Sequence, residues 1–137
     1  VDLEATGKPL GVPELESMHI HKTGALIRAA VLLGAACGNA ADGALRARLD
    51  QYAKNVGLAF QVVDDLLDHE ASTATLGKTA GKDSRQGKAT YVSVMGLPRA
   101  RELAQELRHN ALQALEPLGA GALRLRQLAD FIVLRKF

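Results

Sequence analysis

Apolar residues recur three and four positions apart along almost the whole chain, which is the spacing of one face of a helix. The only alternation typical of a β-strand is the short run YVSV at 91–94. The pattern therefore predicts an all-α protein with four or five helices.

The first predicted helix begins near Pro13, which suits a first helical turn, and ends near Cys37. Gly24 is expected to loosen its middle. From Gly24 to Gly38 the helix is apolar on every side except at Arg28, so it must pack against other helices on all sides. The run is shorter than the roughly 20 residues that cross a membrane. We therefore expect a buried helix that belongs to a larger helical body.

A second helix is expected from a cap at Asp42 to about His69, followed by a loop from Glu70 to about Gly87. Its apolar positions form one continuous stripe: Leu45, Leu49, Tyr52, Val56, Ala59, Val63 and Leu66.

Three further helices complete the predicted fold. One is short and ends at Met95, one runs from Pro98 to about Leu115, and the last runs from about Leu123 to Val133.

The composition fits one globular domain and excludes little else. Apolar residues make up 47% of the 137 residues, and the net charge is only +2 with both signs mixed. A nucleic-acid or membrane-surface role therefore finds no support. A single cysteine excludes an internal disulfide and fits a reducing compartment, so we expect a cytoplasmic protein. Because the chain begins with Val1, we expect a fragment or a processed form.

Three aspartates stand near the predicted end of the second helix. Asp65 and Asp68 share a polar ridge with Lys54 and Gln61, and Asp64 flanks that ridge. Carboxylates in the last turns of a helix are disfavoured by its dipole, so the cluster favours a bound cation. Asp64 and Asp68 lie one turn apart, which suits a hard ion such as Mg²⁺. The alternative is a solvated helix end.

A basic, glycine-punctuated segment follows the aspartates. It carries Lys78, Lys82, Arg85 and Lys88 against the single acid Asp83. A metal held by carboxylates beside such a segment is typical of a phosphate-binding site. The run GKTAGKD has one residue too few for a nucleotide-binding P-loop, which we exclude. The alternative is an exposed, flexible connection.

Lys22, Thr23 and Gly24 form a second polar group on the first helix, where a cation and a hydroxyl suit phosphate oxygens. His19 and His21, just before it, are interpreted as surface or structural histidines.

Four motifs in order carry a family resemblance: HKTGALIRAAV, VGLAFQVVDDLLD, TATLGKTAGKD and QGKATY. They resemble the C-terminal half of the trans-isoprenyl diphosphate synthases (the polyprenyl synthetase family), and most closely the bacterial farnesyl diphosphate synthases. The resemblance covers essentially all 137 residues. It implies an isoprenoid synthase helical bundle in which residues 1–137 are the C-terminal portion of a single domain. The N-terminal half, with the first aspartate-rich motif, is absent.

The resemblance also implies roles for individual residues. The metal site for Mg²⁺ would use Asp64, Asp65, Asp68 and Asp83. The allylic diphosphate would be bound by Lys22, Thr23, Gln61, Lys78 and Lys88. The residues implied in catalysis are Lys22, Thr23 and Lys78. Arg135 and Lys136 resemble the tail that closes over the homoallylic substrate, although they could simply serve the dipole of the last helix.

The implied activity is that of a prenyltransferase. It would condense an allylic diphosphate with isopentenyl diphosphate to make a short-chain product such as farnesyl diphosphate, as a homodimer at full length. The present chain is predicted to be inactive without its N-terminal half. One alternative is a non-catalytic regulatory subunit of a heteromeric synthase, and another is a helical protein whose charged segments are only solvated surface.

Overall fold

The structure is a computed structural model that describes residues 11–38, 43–74 and 89–137. The regular elements of these ranges are all helical, as predicted. The six α-helices are α1 Val12–His19, α2 Ala25–Cys37, α3 Gly43–Ala74, α4 Tyr91–Met95, α5 Leu97–Ala114 and α6 Leu123–Leu134. A π-helical turn, Ile20–Gly24, joins α1 to α2, and a 3₁₀ segment, Glu116–Ala122, joins α5 to α6. None of the described helices is long and apolar enough to cross a membrane.

The first predicted helix corresponds to α1, the π-helical turn and α2 in unbroken succession. The expected distortion is present and ends at Gly24. Arg28, the one cation in the apolar run, forms an ion pair with Asp50 on α3. Its Nε donates to Oδ1 and its Nη2 donates to Oδ2 of that carboxylate. This two-point contact ties α2 to α3 on the solvent side.

The apolar stripe predicted for the second helix is confirmed by α3. Leu45 is half-buried, and the other six stripe residues are buried. The predicted cap, Asp42, lies outside the described residues. The buried face of α3 is wider than the pattern predicted, because residues outside the stripe are also buried: Ala53, Gly57 and Val62.

The end of α3 differs from the prediction. The helix continues past His69 to Ala74, because the intervening residues include neither glycine nor proline. Asp68 therefore lies more than one turn before the helix end. Since the helix dipole acts mainly within the last turn, it does not disfavour these carboxylates, contrary to the prediction.

The core forms where α3 packs along α5, the most extensive helix pair in the fold. α5 contributes alternating small and large buried side chains, which lets the two helices lie close together. These side chains are Ala100, Leu103, Ala104, Leu107, Ala111 and Ala114. One apolar cluster, containing Leu15, Leu66 and Tyr91, lies at the aspartate end of α3, and a second surrounds Tyr52 and Leu115.

The YVSV alternation is helical rather than extended, and it forms α4. Thr90 and Ser93 cap its first turn reciprocally: the Ser93 N–H donates to Thr90 Oγ1 (3.0 Å), and the Thr90 N–H donates to Ser93 Oγ (2.9 Å). Gly96 ends it with a φ of 86°, a conformation that favours glycine. α4 therefore holds Tyr91 in a fixed position beside α3.

Alkaline pH is expected to unfold the protein by ionising its two tyrosines, Tyr52 and Tyr91. Burial raises the pKa of Tyr52 from 10.0 to about 12. The pKa of Tyr91 is raised by burial and by the charges of Glu16 and Asp65. Since folding favours the neutral phenols, their contribution to stability is complete below pH 10 and is lost as the pH rises toward 12 and beyond. Tyrosinate absorbance should therefore appear together with the loss of helical circular dichroism. Tyrosinate absorbance that appears near pH 10 while the protein is still fully helical would contradict the prediction that alkaline unfolding follows tyrosine ionisation.

Candidate functional site

Part of the polar ridge of α3 packs against the π-helical turn, while Lys54 and Asp68 at its two ends are exposed. Gly57, on the same side of α3, is buried, and a Cβ placed there would lie 3.3 Å from the Cα of Gly24. One turn further along, the Gln61 side-chain amide donates from Nε2 to Thr23 Oγ1 at 3.0 Å. The close approach at the two glycines therefore allows Gln61 to reach Thr23.

Two of the predicted diphosphate-binding residues, Thr23 and Gln61, thus meet although they are far apart in the sequence. A π-helical turn changes the direction in which its side chains project, and such turns are frequent at functional sites. Gln61 donates to the Thr23 oxygen, so the Thr23 hydroxyl hydrogen remains to donate to a ligand oxygen. The pair can therefore bind an anion from the side of the π-helical turn.

Asp65 connects α3 to α4. Its Oδ2 accepts a hydrogen bond of 2.9 Å from the Tyr91 backbone N–H, at the first residue of α4. The Tyr91 hydroxyl lies 3.2 Å from His19 Nδ1, and the two rings are 5.2 Å apart. His19 is buried here, which confirms a structural role for it. At least one Asp65 oxygen is therefore engaged in fixing the helices around the site.

Asp64 and Asp68 project from α3 one turn apart. The Asp64 side chain is 45% exposed and its Oδ1 accepts from Arg135 Nη2 at 3.1 Å, while Asp68 is exposed. Within the described part of the chain, no three His, Cys, Asp or Glu residues come together as a metal cage. Two carboxylates fit Mg²⁺ nonetheless, since this ion commonly keeps several waters and binds one or two carboxylates together with phosphate oxygens.

The remaining predicted residues are Lys78, Asp83 and Lys88 and the side chain of Lys22, and these lie outside the described part of the chain. The contact between the Tyr91 backbone N–H and Asp65 was not predicted, because a backbone N–H leaves no signal in a residue pattern. The contact between Arg135 and Asp64 was not predicted either, although the basic tail was noted.

Replacing Gly57 with alanine should destabilise the protein by about 1–3 kcal/mol. The new Cβ would lie 3.3 Å from the Gly24 backbone, so the π-helical turn would have to move. Gly34→Ala is the matched control: Gly34 lies within α2, a Cβ there meets nothing within 4 Å, and alanine should stabilise by about 0.5–1 kcal/mol. Urea unfolding of both variants measures the difference. Equal stabilities would show that the glycine contact is not tight.

The chain is similar to known proteins over most of its length. The sequence model of the polyprenyl synthetase family matches residues 1–117. The chain is 49% identical to the farnesyl diphosphate synthase of Escherichia coli, covering 98% of this chain and 46% of that relative. It is 47% identical to geranylgeranyl pyrophosphate synthase 6, mitochondrial, of Arabidopsis thaliana, covering 89% of this chain and 36% of that protein.

A solved structure shares the fold. The FPP/GFPP synthase of Zymomonas mobilis superposes with a TM-score of 0.78 at 36% identity, covering 95% of this chain and 41% of that one. The chain thus spans less than half the length of each of these relatives. The match to most of the sequence, together with the shared fold, shows that the chain belongs to the polyprenyl synthetase family.

Proposed function

We propose that this chain forms the part of a prenyl diphosphate synthase that binds magnesium and the allylic diphosphate. The whole protein would condense that substrate with isopentenyl diphosphate to give a short-chain prenyl diphosphate such as farnesyl diphosphate. One observation carries the proposal. Gln61, which is hydrogen-bonded to Thr23, lies on neighbouring turns of α3 with the carboxylates of Asp64 and Asp68.

In the metal site that we propose, Asp64 and Asp68 would hold Mg²⁺, and Asp83 would support the site. Asp65 lies on the same turn, and its contact with the Tyr91 N–H supports a positioning role beside its predicted role as a ligand. When bound, the metal would neutralise the negative charge that develops on the departing diphosphate. Exposure of Asp64 and Asp68 to solvent supports this proposal, since a water-rich ion can reach them.

The diphosphate oxygens are proposed to bind between the two helical segments. The Thr23 hydroxyl and the Gln61 amide would donate to one side, and Lys22, Lys78 and Lys88 would supply positive charge. Donors fixed before the reaction stabilise developing charge without reorganising, and the hydrogen bond between Gln61 and Thr23 supports such preorganisation. The carbocation that forms must be kept from water, which requires an apolar cavity.

The relatives extend well beyond the length that this chain spans. We therefore propose that catalysis also uses a part of the full-length synthase that lies outside the present sequence. A homodimer and a cytoplasmic location remain predictions. The relatives in the comparison are named as synthases, which favours the enzyme over the regulatory subunit.

The test is calorimetric titration of the chain with pyrophosphate, with Mg²⁺ and with EDTA. We expect binding that depends on Mg²⁺ and that weakens at least roughly tenfold in the Asp64→Asn/Asp68→Asn double variant. Glu70→Gln is the control, because it removes a carboxylate from the same helix at an exposed position. Pyrophosphate affinity that is equal in Mg²⁺ and in EDTA would refute the proposed metal site.

A further inference from the structure

Arg135 is the most extensively bonded cation in the described part of the chain. It follows the end of α6, and its side chain is only 10% exposed. Nε donates to the Ile132 carbonyl (3.0 Å) and Nη1 to the Phe137 carbonyl (3.3 Å). Nη2 donates to both the Phe60 carbonyl (3.2 Å) and Asp64 Oδ1 (3.1 Å). The guanidinium therefore joins the segment that follows α6 to α3.

The guanidinium is held in place without help from Asp64. Three backbone carbonyls accept from it, and its Cζ lies 4.6 Å from the centroid of the Phe60 ring, a cation–π contact. A planar guanidinium is pre-organised for such contacts, and these four do not involve Asp64. Arg135 is thus a fixed donor toward which the Asp64 side chain is turned.

Among the described residues, contacts reach one of the two Asp64 oxygens. Oδ1 accepts from Arg135, and among the described residues no donor reaches Oδ2. The carboxylate is half exposed, and Asp68 projects one turn further along the same helix. A carboxylate can accept a hydrogen bond on one oxygen and bind a metal with the other, and the hydrogen bond then fixes the direction of the metal-binding oxygen.

We propose that Arg135 is a positioning residue that holds Asp64 in the orientation in which Oδ2 binds the metal. This inference rests on the proposed function, and it assigns Arg135 to the metal side of the site. The resemblance had implied that Arg135 and Lys136 close over the homoallylic substrate. The contacts of Arg135 point inward, which leaves the exposed Lys136 for that role.

A competing effect has the opposite sign. A cation next to Asp64 repels a divalent metal, so charge alone would make Arg135 weaken metal binding. Solvent at the Asp64 carboxylate, which is 45% exposed, screens part of this repulsion, although the Arg135 side chain is only 10% exposed. Orientation is therefore expected to outweigh repulsion, and removal of Arg135 should weaken metal binding.

The experiment measures Mn²⁺ affinity, with Mn²⁺ as a spectroscopic substitute for Mg²⁺, by electron paramagnetic resonance in the presence of pyrophosphate. Arg135→Gln removes the charge and Arg135→Lys keeps it, but both lose the planar set of donors. We expect both to bind Mn²⁺ roughly tenfold more weakly. Arg124→Gln removes an exposed cation at the other end of α6 and should match the parent protein.

A thermodynamic cycle separates positioning from a general structural effect. If Arg135 acts through Asp64, Arg135→Lys should cause no further loss of Mn²⁺ affinity in an Asp64→Asn background. Circular dichroism identifies variants that fail to fold. If Arg135→Gln unfolds, the Mn²⁺ affinity of Arg135→Lys, which retains the cation, tests the positioning role.

The outcomes are distinct. Parent-like affinity in Arg135→Lys, or tighter Mn²⁺ binding in Arg135→Gln, would overturn the positioning role while leaving the metal site intact. Absence of Mn²⁺ binding by the parent protein would overturn the proposed metal site, and the positioning role with it.

Discussion

Replacing Tyr91 with alanine is expected to remove about 3–5 kcal/mol of stability, a large part of what a domain of this size possesses. The Tyr91 side chain is 0% exposed and belongs to the apolar cluster under the aspartates. Its hydroxyl bonds to His19 at the end of α1. Truncation would leave a cavity where α1, α3 and α4 meet. A thermal melt should shift down by roughly 10–20 °C.

Two control variants isolate the cause. Tyr91→Phe keeps the ring and loses only the hydrogen bond to His19, so it should cost about 1 kcal/mol. Phe131→Ala removes an aromatic ring that is 55% exposed on α6 and should change stability by no more than about 0.5 kcal/mol. If Tyr91→Ala melted within a few degrees of Phe131→Ala, Tyr91 would not organise this end of the fold.

The helices were largely predictable because their signal is local. The recurrence of apolar residues every three or four positions identified the face of α3 that is buried, and Gly24 indicated the distortion of the first helix. The end of α3 was misplaced because the last turns of a helix depend on weak capping preferences. In this case no glycine or proline interrupts residues 70–74, and the helix continues to Ala74.

The site was only partly predictable, because its decisive contacts join distant parts of the chain. The pattern placed Gln61 and the aspartates on one ridge, yet it could not show that Gly57 brings this ridge against the π-helical turn. Nor could it show that Arg135 reaches Asp64 or that the Tyr91 amide reaches Asp65. Such contacts follow from packing of whole helices, for which residue spacing within one helix contains no information.

Introducing charge on the outer face of α2 is expected to have the largest effect on activity. Leu26 and Leu33 are 76% and 67% exposed, and with Ala29 and Ala30 between them they form an apolar face at helical spacing. Under the proposed function we expect this face to pack against the part of a full-length synthase that this chain does not span. The sequence had indicated the same need, since α2 is apolar nearly all round.

The measurement is prenyltransferase turnover in a complementation assay. The chain is expected to show none alone, and to gain activity when co-expressed with the part of the Escherichia coli relative that it does not cover. Leu26→Glu/Leu33→Glu should lower this turnover roughly 100-fold, because two carboxylates would be buried without partners. Melting of the isolated chain should hardly change, since both leucines are exposed there.

The matched control places the same charges on a different exposed apolar surface. Leu123 and Leu128 on α6 are 53% and 46% exposed, so Leu123→Glu/Leu128→Glu introduces two carboxylates at comparable cost to the isolated chain. Turnover that falls only with the α2 variant would assign the interface to α2. Equal losses in the two variants would instead mean that added charge impairs assembly in general, and the proposed packing of the α2 face would have to be abandoned.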